Sequence, residues 1–501
     1  MTYKTIYALL RNRMPKFKLS FVWGTFITLA FLSMLIIRLE LFQKQQEAIL
    51  PAPAAKVQRL SDSWLNIYQN NKKIGVVHRT FSPLDKGFHF DESVFMQLHT
   101  MGVTQALNIQ LEGSLNPDMS IASFNFDLSS SLFRFHAHGF VANNKLILFT
   151  GLPHAQQKSE IPLQNIPHLS GSIYDAAFRT NLDKDATRSF SIFDPATLGV
   201  KSIQVTRNAD EIIPVMGKRT LTKKYCADFM GARNCAWLDQ NGDILKESGI
   251  LGLSLEKVSR EKAQEGISTN GDIDFTQIAS IPANIKIDNP EKISRIKIKI
   301  HGIGGLFLYL HADRQSFSKD VLTITKEQFS GSTLSGNPPS KNTAAFLQAT
   351  ALVQAHHPRI KAQVAEIVAP LDSPEQKARK IINWVYRNIQ KKPVLSVPNA
   401  LEVLQNKIGD CNEHAVLTAA LLRTAGIPAQ IETGLVYLRG RFYYHAWNIA
   451  FLGEWITADA VFNQFPADVT HIRLIRGEGG EQLDLMGVMG KIKLEILEKA
   501  I

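Results

Sequence analysis

Residues 399–475, NALEVLQNKIGDCNEHAVLTAALLRTAGIPAQIETGLVYLRGRFYYHAWNIAFLGEWITADAVFNQFPADVTHIRLI, hold a helix and two strands in an informative order. Gly409-Asp410 is a turn, and an apolar-periodic helix follows through Ala415, Leu417, Leu421 and Leu422 to a stop at Gly426-Ile427-Pro428. Cys411 therefore stands at a helix N-terminus, where orphan N–H groups and the positive end of the helix dipole favour a thiolate. The same N–H groups suit an oxyanion formed when that sulfur attacks a carbonyl. Two strands come next: RFYYHAWNIAF carries His445 and EWITADAVF carries Asp459. If they are neighbours in one sheet, His445 and Asp459 lie side by side with the imidazole toward the helix end. Nucleophile, base and base-orienting acid then occur in chain order, as a papain-like thiol site requires.

Three blocks in this stretch resemble the transglutaminase-like superfamily, over roughly residues 345–475. The first is Gly409-Asp410-Cys411-Asn412-Glu413-His414-Ala415, leading into Ala420 through Ala429. The second is His445-Ala446-Trp447, and the third is Trp455-Ile456-Thr457-Ala458-Asp459. The resemblance implies Cys411 as nucleophile, His445 as general base and then acid, and Asp459 as the residue that orients and stabilises the imidazolium. The chain departs from the family pattern at Asn448, where many members carry an acid, and at Ala460, where proline is usual.

Neighbouring residues have plainer readings. His414, on the Cys411 helix, points across its own surface rather than over the thiol. Glu413 complements the helix dipole, and Trp447 either walls the site or packs in the core. His356-His357 precede Pro358 with no further ligands at metal spacing, and no acidic EF-hand-like loop is present, so neither zinc, calcium nor any other cofactor is expected.

Upstream, Ser373-Pro374-Glu375 opens a helix, and the Ser/Gly/Pro-rich run at 330–342 suggests a boundary near residue 340. Residues 341–501 then form the catalytic domain, 261–340 a β-rich connector, and 61–260 an antiparallel β-rich domain of period-two runs with turn signals such as Asn143-Asn144. That region resembles a lipoprotein-like β half-barrel of envelope proteins, through Asn71–Gly75 and Trp237–Leu245. Such a sheet suits a lipid or peptide carrier as well as a spacer. Cys226 and Cys235 stand on two adjacent strands, either bridged or unpaired.

The first sixty residues suggest a membrane anchor. Lys4, Arg11, Arg13, Lys16 and Lys18 supply +5 of the net +11, and the remaining +6 is spread over 483 residues. No basic stripe interleaved with aromatics appears, which argues against nucleic acid. Leu19–Ile37 carries no charge, and as a helix it spans about 28 Å, close to a bilayer's hydrocarbon core. The expected organisation is a cytoplasmic basic segment (1–18), a transmembrane signal anchor (19–38) and a stalk (39–60), with the bulk of the chain beyond the inner membrane. The expected fold class is α+β: one transmembrane helix, a β-rich domain and a papain-like domain. The expected function is acyl transfer or amide hydrolysis on extracytoplasmic proteins or peptides. A non-catalytic envelope scaffold is the alternative.

Overall fold

The computed structural model describes residues 61–100, 103–131, 133–151, 156–229, 232–249, 252–267, 280–303, 308–328, 341–394, 397–478 and 491–501. Of these, 51% lie in strands and 18% in helices. The fold is therefore strand-dominated, and the expected α+β class with a transmembrane helix is corrected. The longer helices lie in one layer beside the Cys411 region, whereas the rest is mostly strand, with short helices such as Ile173–Arg179 and Arg260–Gln264. Among the described residues no helix is long and apolar enough to cross a membrane. The basic segment, the Leu19–Ile37 run and the stalk lie outside the described residues.

Residues 61–258 build one sixteen-stranded sheet. Its strands from Ser61–Gln69 to Gln157–Pro162 lie side by side in chain order, and Leu253–Val258 closes back on Ser61–Gln69. Alternation drives this: in Lys72–Leu84 buried and half-buried positions alternate over most of the strand. Asparagine pairs make its tight turns, since Asn70, Asn71, Asn143 and Asn144 have φ of 46°, 62°, 50° and 56°, a conformation asparagine tolerates. Cys226 and Cys235 face each other across adjacent strands and are disulfide-bonded.

A five-stranded sheet carries the residues of interest. Ala429–Leu438 pairs with Arg441–Phe451 on one side and Ile472–Arg476 on the other, and Arg441–Phe451 also pairs with Trp455–Ala458. Gly434 permits this close approach, because a Cβ there would lie 1.9 Å from the Ile472 carbonyl oxygen. Helices Pro358–Ile367, Pro374–Asn388 and Ala400–Asn406 surround the Cys411–Thr424 helix. Their apolar faces share a core with Ile431, Ala446 and Ala450 of the sheet. Leu435, Tyr437, Phe442 and Tyr444 of the same strands join the core of the large sheet instead.

Strands cross the boundary expected near residue 340 in both directions. Ile281–Pro282 adds to the edge of the Cys411-side sheet by pairing with Arg441 and Phe442. The C-terminal strand Lys493–Ala500 returns to pair with Arg295–His301. The connector and the C-terminal region are thus laced together by main-chain hydrogen bonds, which the local period of either segment does not reveal.

Candidate active site

Asp410 caps the helix that begins at Cys411. Its side chain accepts from Asn412 N–H at 3.1 Å, and Glu413 Oε2 accepts the Asp410 N–H at 2.9 Å, a reciprocal capping box. Gly409 is required for this arrangement, because a Cβ there would meet the Glu413 Cβ at 2.2 Å. The cap has a cost for the expected oxyanion site. Asp410 takes the N–H groups of Asn412 and Glu413 with its side chain, removing two first-turn donors.

Cys411 is the one free cysteine and is 1% exposed. Burial pushes its thiol up, Asp410 adds to the effect, and Glu413 and Asp459 contribute further, against a hydrogen bond from the Ala446 N–H to the sulfur. The expected resting thiolate is therefore corrected. Desolvation and the nearby carboxylates favour the protonated sulfur, a thiol.

His445 stands opposite Gly434 in the sheet, and Asp459 follows the neighbouring strand. The two meet: His445 Nε2 and Asp459 Oδ2 are 2.7 Å apart, with side chains 0% and 1% exposed. Asp459 Oδ1 accepts the N–H groups of Val461 at 2.6 Å and Phe462 at 3.2 Å. Burial opposes the charge of Asp459, but the His445 and His471 rings prevail and hold its carboxyl well below the usual range. An ionised Asp459 requires the proton of His445 on Nε2. That leaves a lone pair on Nδ1, which is buried without a hydrogen-bond partner. Burial lowers the His445 pKa, with Asp459 opposing, so the ring is neutral at rest.

His471 completes the group and had drawn no notice in the sequence. Its Nε2 lies 2.9 Å from the same Asp459 Oδ2, and its Nδ1 lies 3.2 Å from Asp468 O and 3.3 Å from Asp468 Oδ1. Burial opposes protonation of His471, but Asp468 and Asp459 raise its pKa to about 9. The available signal was Asp468-Val469-Thr470-His471, where Asp468 accepts from Thr470 N–H and Oγ1 at 2.8 and 2.6 Å and turns the chain back onto Asp459.

His445, Asp459 and His471 offer ligand atoms within 4.8 Å of one another. Both ring nitrogens lie within hydrogen-bond distance of one carboxylate oxygen, at 2.7 and 2.9 Å. This is the geometry of two donors sharing an acceptor. His414 stays with its own helix: its Nδ1 contacts Asp410 O at 2.5 Å, and burial lowers its pKa to about 4. Trp447 stacks beside His445 at 6.0 Å between ring centroids and donates to Glu432 Oε2 at 2.9 Å.

A clamp from the connector holds this group. Arg314 pairs with Glu327 at 3.0 Å, with side chains 3% and 8% exposed. It also donates to Ala467 O at 2.7 Å and His471 O at 3.1 Å. Glu327 in turn accepts from Thr457 N–H at 2.9 Å and Thr457 Oγ1 at 2.7 Å, two residues before Asp459. Arg314→Ala is expected to destabilise the fold by about 3–5 kcal/mol, because it strands a buried carboxylate. Urea unfolding measures this, and a loss within 1 kcal/mol would show that the clamp contributes little.

Residues 361–460 match a family model described as the transglutaminase-like superfamily. This segment is a transglutaminase-like domain. The match ends one residue past Asp459, so His471, Asp468, Arg314 and Glu327 lie outside it. No curated protein matches the chain. Among solved structures, one described as a candidate cysteine protease from Cytophaga hutchinsonii shares 16% identity, covering 40% of this chain and 81% of its own, with a TM-score of 0.27. A β-barrel-like protein of unknown function from Brucella abortus shares 12% identity over 40% of this chain and 98% of its own, with a TM-score of 0.32. A candidate protease from Parabacteroides distasonis shares 10% identity over 79% of this chain and 67% of its own, with a TM-score of 0.22. The transglutaminase-like domain supports assignment to a class of thiol-dependent hydrolases or acyltransferases.

Proposed function

We propose that the chain catalyses acyl transfer or hydrolysis of protein or peptide amides through a thioester on Cys411. The observation that carries this reading is the unpartnered Nδ1 of His445, set by the 2.7 Å contact of Nε2 with Asp459. It stands next in the chain to Ala446, whose N–H is bonded to the sulfur. In the proposed reaction Cys411 Sγ attacks the amide carbon as its proton passes to His445 Nδ1. The imidazolium then protonates the leaving amine as the C–N bond breaks, giving a thioester. Water or a second amine, deprotonated by the same Nδ1, attacks the thioester and releases the sulfur. Asp459 stabilises the imidazolium in both halves. His471 acts as a positioning residue that holds Asp459 ionised and fixed.

With a thiol and a neutral imidazole at rest, proton transfer accompanies attack rather than preceding it. The Cys226–Cys235 disulfide supports work in an oxidising space outside the cytoplasm, so extracytoplasmic proteins and peptides are the proposed substrates. A peptide library with a labelled amine donor, assayed for donor incorporation and for hydrolysis, tests the reading. Either product is expected from the parent and neither from Cys411→Ala. Turnover retained in Cys411→Ala would exclude the mechanism.

A non-catalytic scaffold is favoured by one observation, the closure of Cys411 and His445 to 1% and of Asp459 to 0% exposure. A small thiol-reactive probe separates the two readings. Labelling of Cys411 that slows in His445→Ala supports the enzyme, and slow labelling indifferent to that change supports the scaffold.

His471 gives a stability signature of its own. Its raised pKa means stability that is complete below about pH 6.5, the unfolded value, and is lost as pH rises through about 9. The half-buried Lys391, lowered to about 8 by burial with Asp459 opposing, acts in the other direction. The comparison is therefore between parent and His471→Gln. The parent is expected to lose more unfolding free energy between neutral and alkaline pH; parallel profiles would refute the charged His471.

A further inference from the structure

The hairpin of Glu211–Val215 and the start of Lys218–Phe229 branches off the main strand order of the large sheet: among the described residues its first strand pairs only with the second. Ile212, Met216 and Leu221 on it are 56%, 59% and 62% exposed. Among the described residues, the other large apolar side chains more than half exposed are Leu371 and the terminal Ile501. Three such side chains on one hairpin form a patch rather than scatter. The register sets Ile212 opposite Leu221 and Pro214 opposite Arg219, placing all four on one face. Met216 and Gly217 make the turn with φ of 48° and 78°, and a Cβ added to Gly217 would meet nothing within 4 Å. The tip is therefore convex and open.

Charge selects the occupant. Residues 212–224 hold Lys218, Arg219, Lys223 and Lys224 and no acid. Lys224 is committed to Glu211 at 2.7 Å, but Lys218 and Arg219 at the tip are exposed. The chain's own N-terminal segment does not suit this face, because residues 1–18 hold five cations and no acid. A second copy would bring one basic tip against another. Strand addition is disfavoured by Pro214 in the middle of the edge strand. A convex apolar tip backed by cations matches an anionic bilayer surface, where apolar side chains enter the headgroup layer and cations meet phosphates. We propose that this hairpin docks on anionic lipid, inserting Ile212, Pro214, Met216 and Leu221 while Lys218 and Arg219 face the phosphates.

The test uses the full chain with Cys411→Ala, so that Met216→Cys supplies a single free thiol for an environment-sensitive fluorophore. The readout is local, so attachment through any other part of the chain does not count. Vesicles of phosphatidylglycerol mixed with phosphatidylcholine are expected to blue-shift the Met216 label. Pure phosphatidylcholine vesicles should not, and raised salt should reverse the shift. Lys218→Glu with Arg219→Glu is expected to weaken the response at least tenfold. A label at Leu371→Cys, exposed but remote in sequence, should stay in water. A Met216 label that stays in water with anionic vesicles overturns the proposal. So does one that shifts equally with both vesicle types, or only when an acidic protein is supplied.

Discussion

Cys411→Ser is expected to lower turnover of any substrate the parent processes by about a thousandfold or more, with an unchanged fold. Serine is close in shape, slightly smaller, and keeps the N-terminal place on the helix, so the capping box of Asp410 and Glu413 has no reason to move. The hydroxyl is a far weaker nucleophile than the thiol it replaces. Burial and the nearby carboxylates, which already push the thiol up, would oppose an alkoxide at least as strongly. The comparison of kcat with KM is informative: a loss confined to kcat places Cys411 in the bond-making step, and a rise in KM alone would assign it to binding.

Asp459→Asn is expected to be nearly as damaging, by a different route. An amide presents one acceptor oxygen and one donor nitrogen where the carboxylate now accepts from two rings and from the Val461 and Phe462 N–H groups. If the amide nitrogen turns toward His445, Nε2 must accept. The ring proton then moves to Nδ1, and the lone pair proposed as the base is gone. A loss in kcat of about 10³–10⁴ is the expected size for an inverted tautomer. His471 would also lose the charge that helps hold its proton, so the alkaline fall in stability should begin at lower pH than in the parent. Near-parental kcat in Asp459→Asn would mean that the tautomer of His445 is fixed elsewhere.

Much of the local structure was legible. Ser373 caps the helix starting at Pro374, and its capping box with Gln376 is the pattern that residues 373–376 spell. Asn143-Asn144 forms the turn between Arg134–Ala142 and Lys145–Thr150. The His445 and Asp459 strands pair directly because a short loop joins them. Long-range features were not legible. Nothing in the period of Lys493–Ala500 identifies Arg295–His301 as its partner, some two hundred residues earlier. Arg314 and Glu327 look like ordinary surface charges until the fold buries them against Ala467 and His471. Thiol chemistry was misread for a related reason. A helix N-terminus is visible in sequence, but desolvation and the through-space carboxylate of Asp459 are not.

The central claim is that Cys411 forms an acyl intermediate with the help of His445. Intact-protein mass spectrometry after rapid mixing with an activated peptide ester tests it directly. The account predicts a single acyl adduct that maps to Cys411, forms at least a hundredfold more slowly in His445→Ala, and is absent in Cys411→Ala. An adduct elsewhere, or one forming on Cys411 at the same rate without His445, would contradict it.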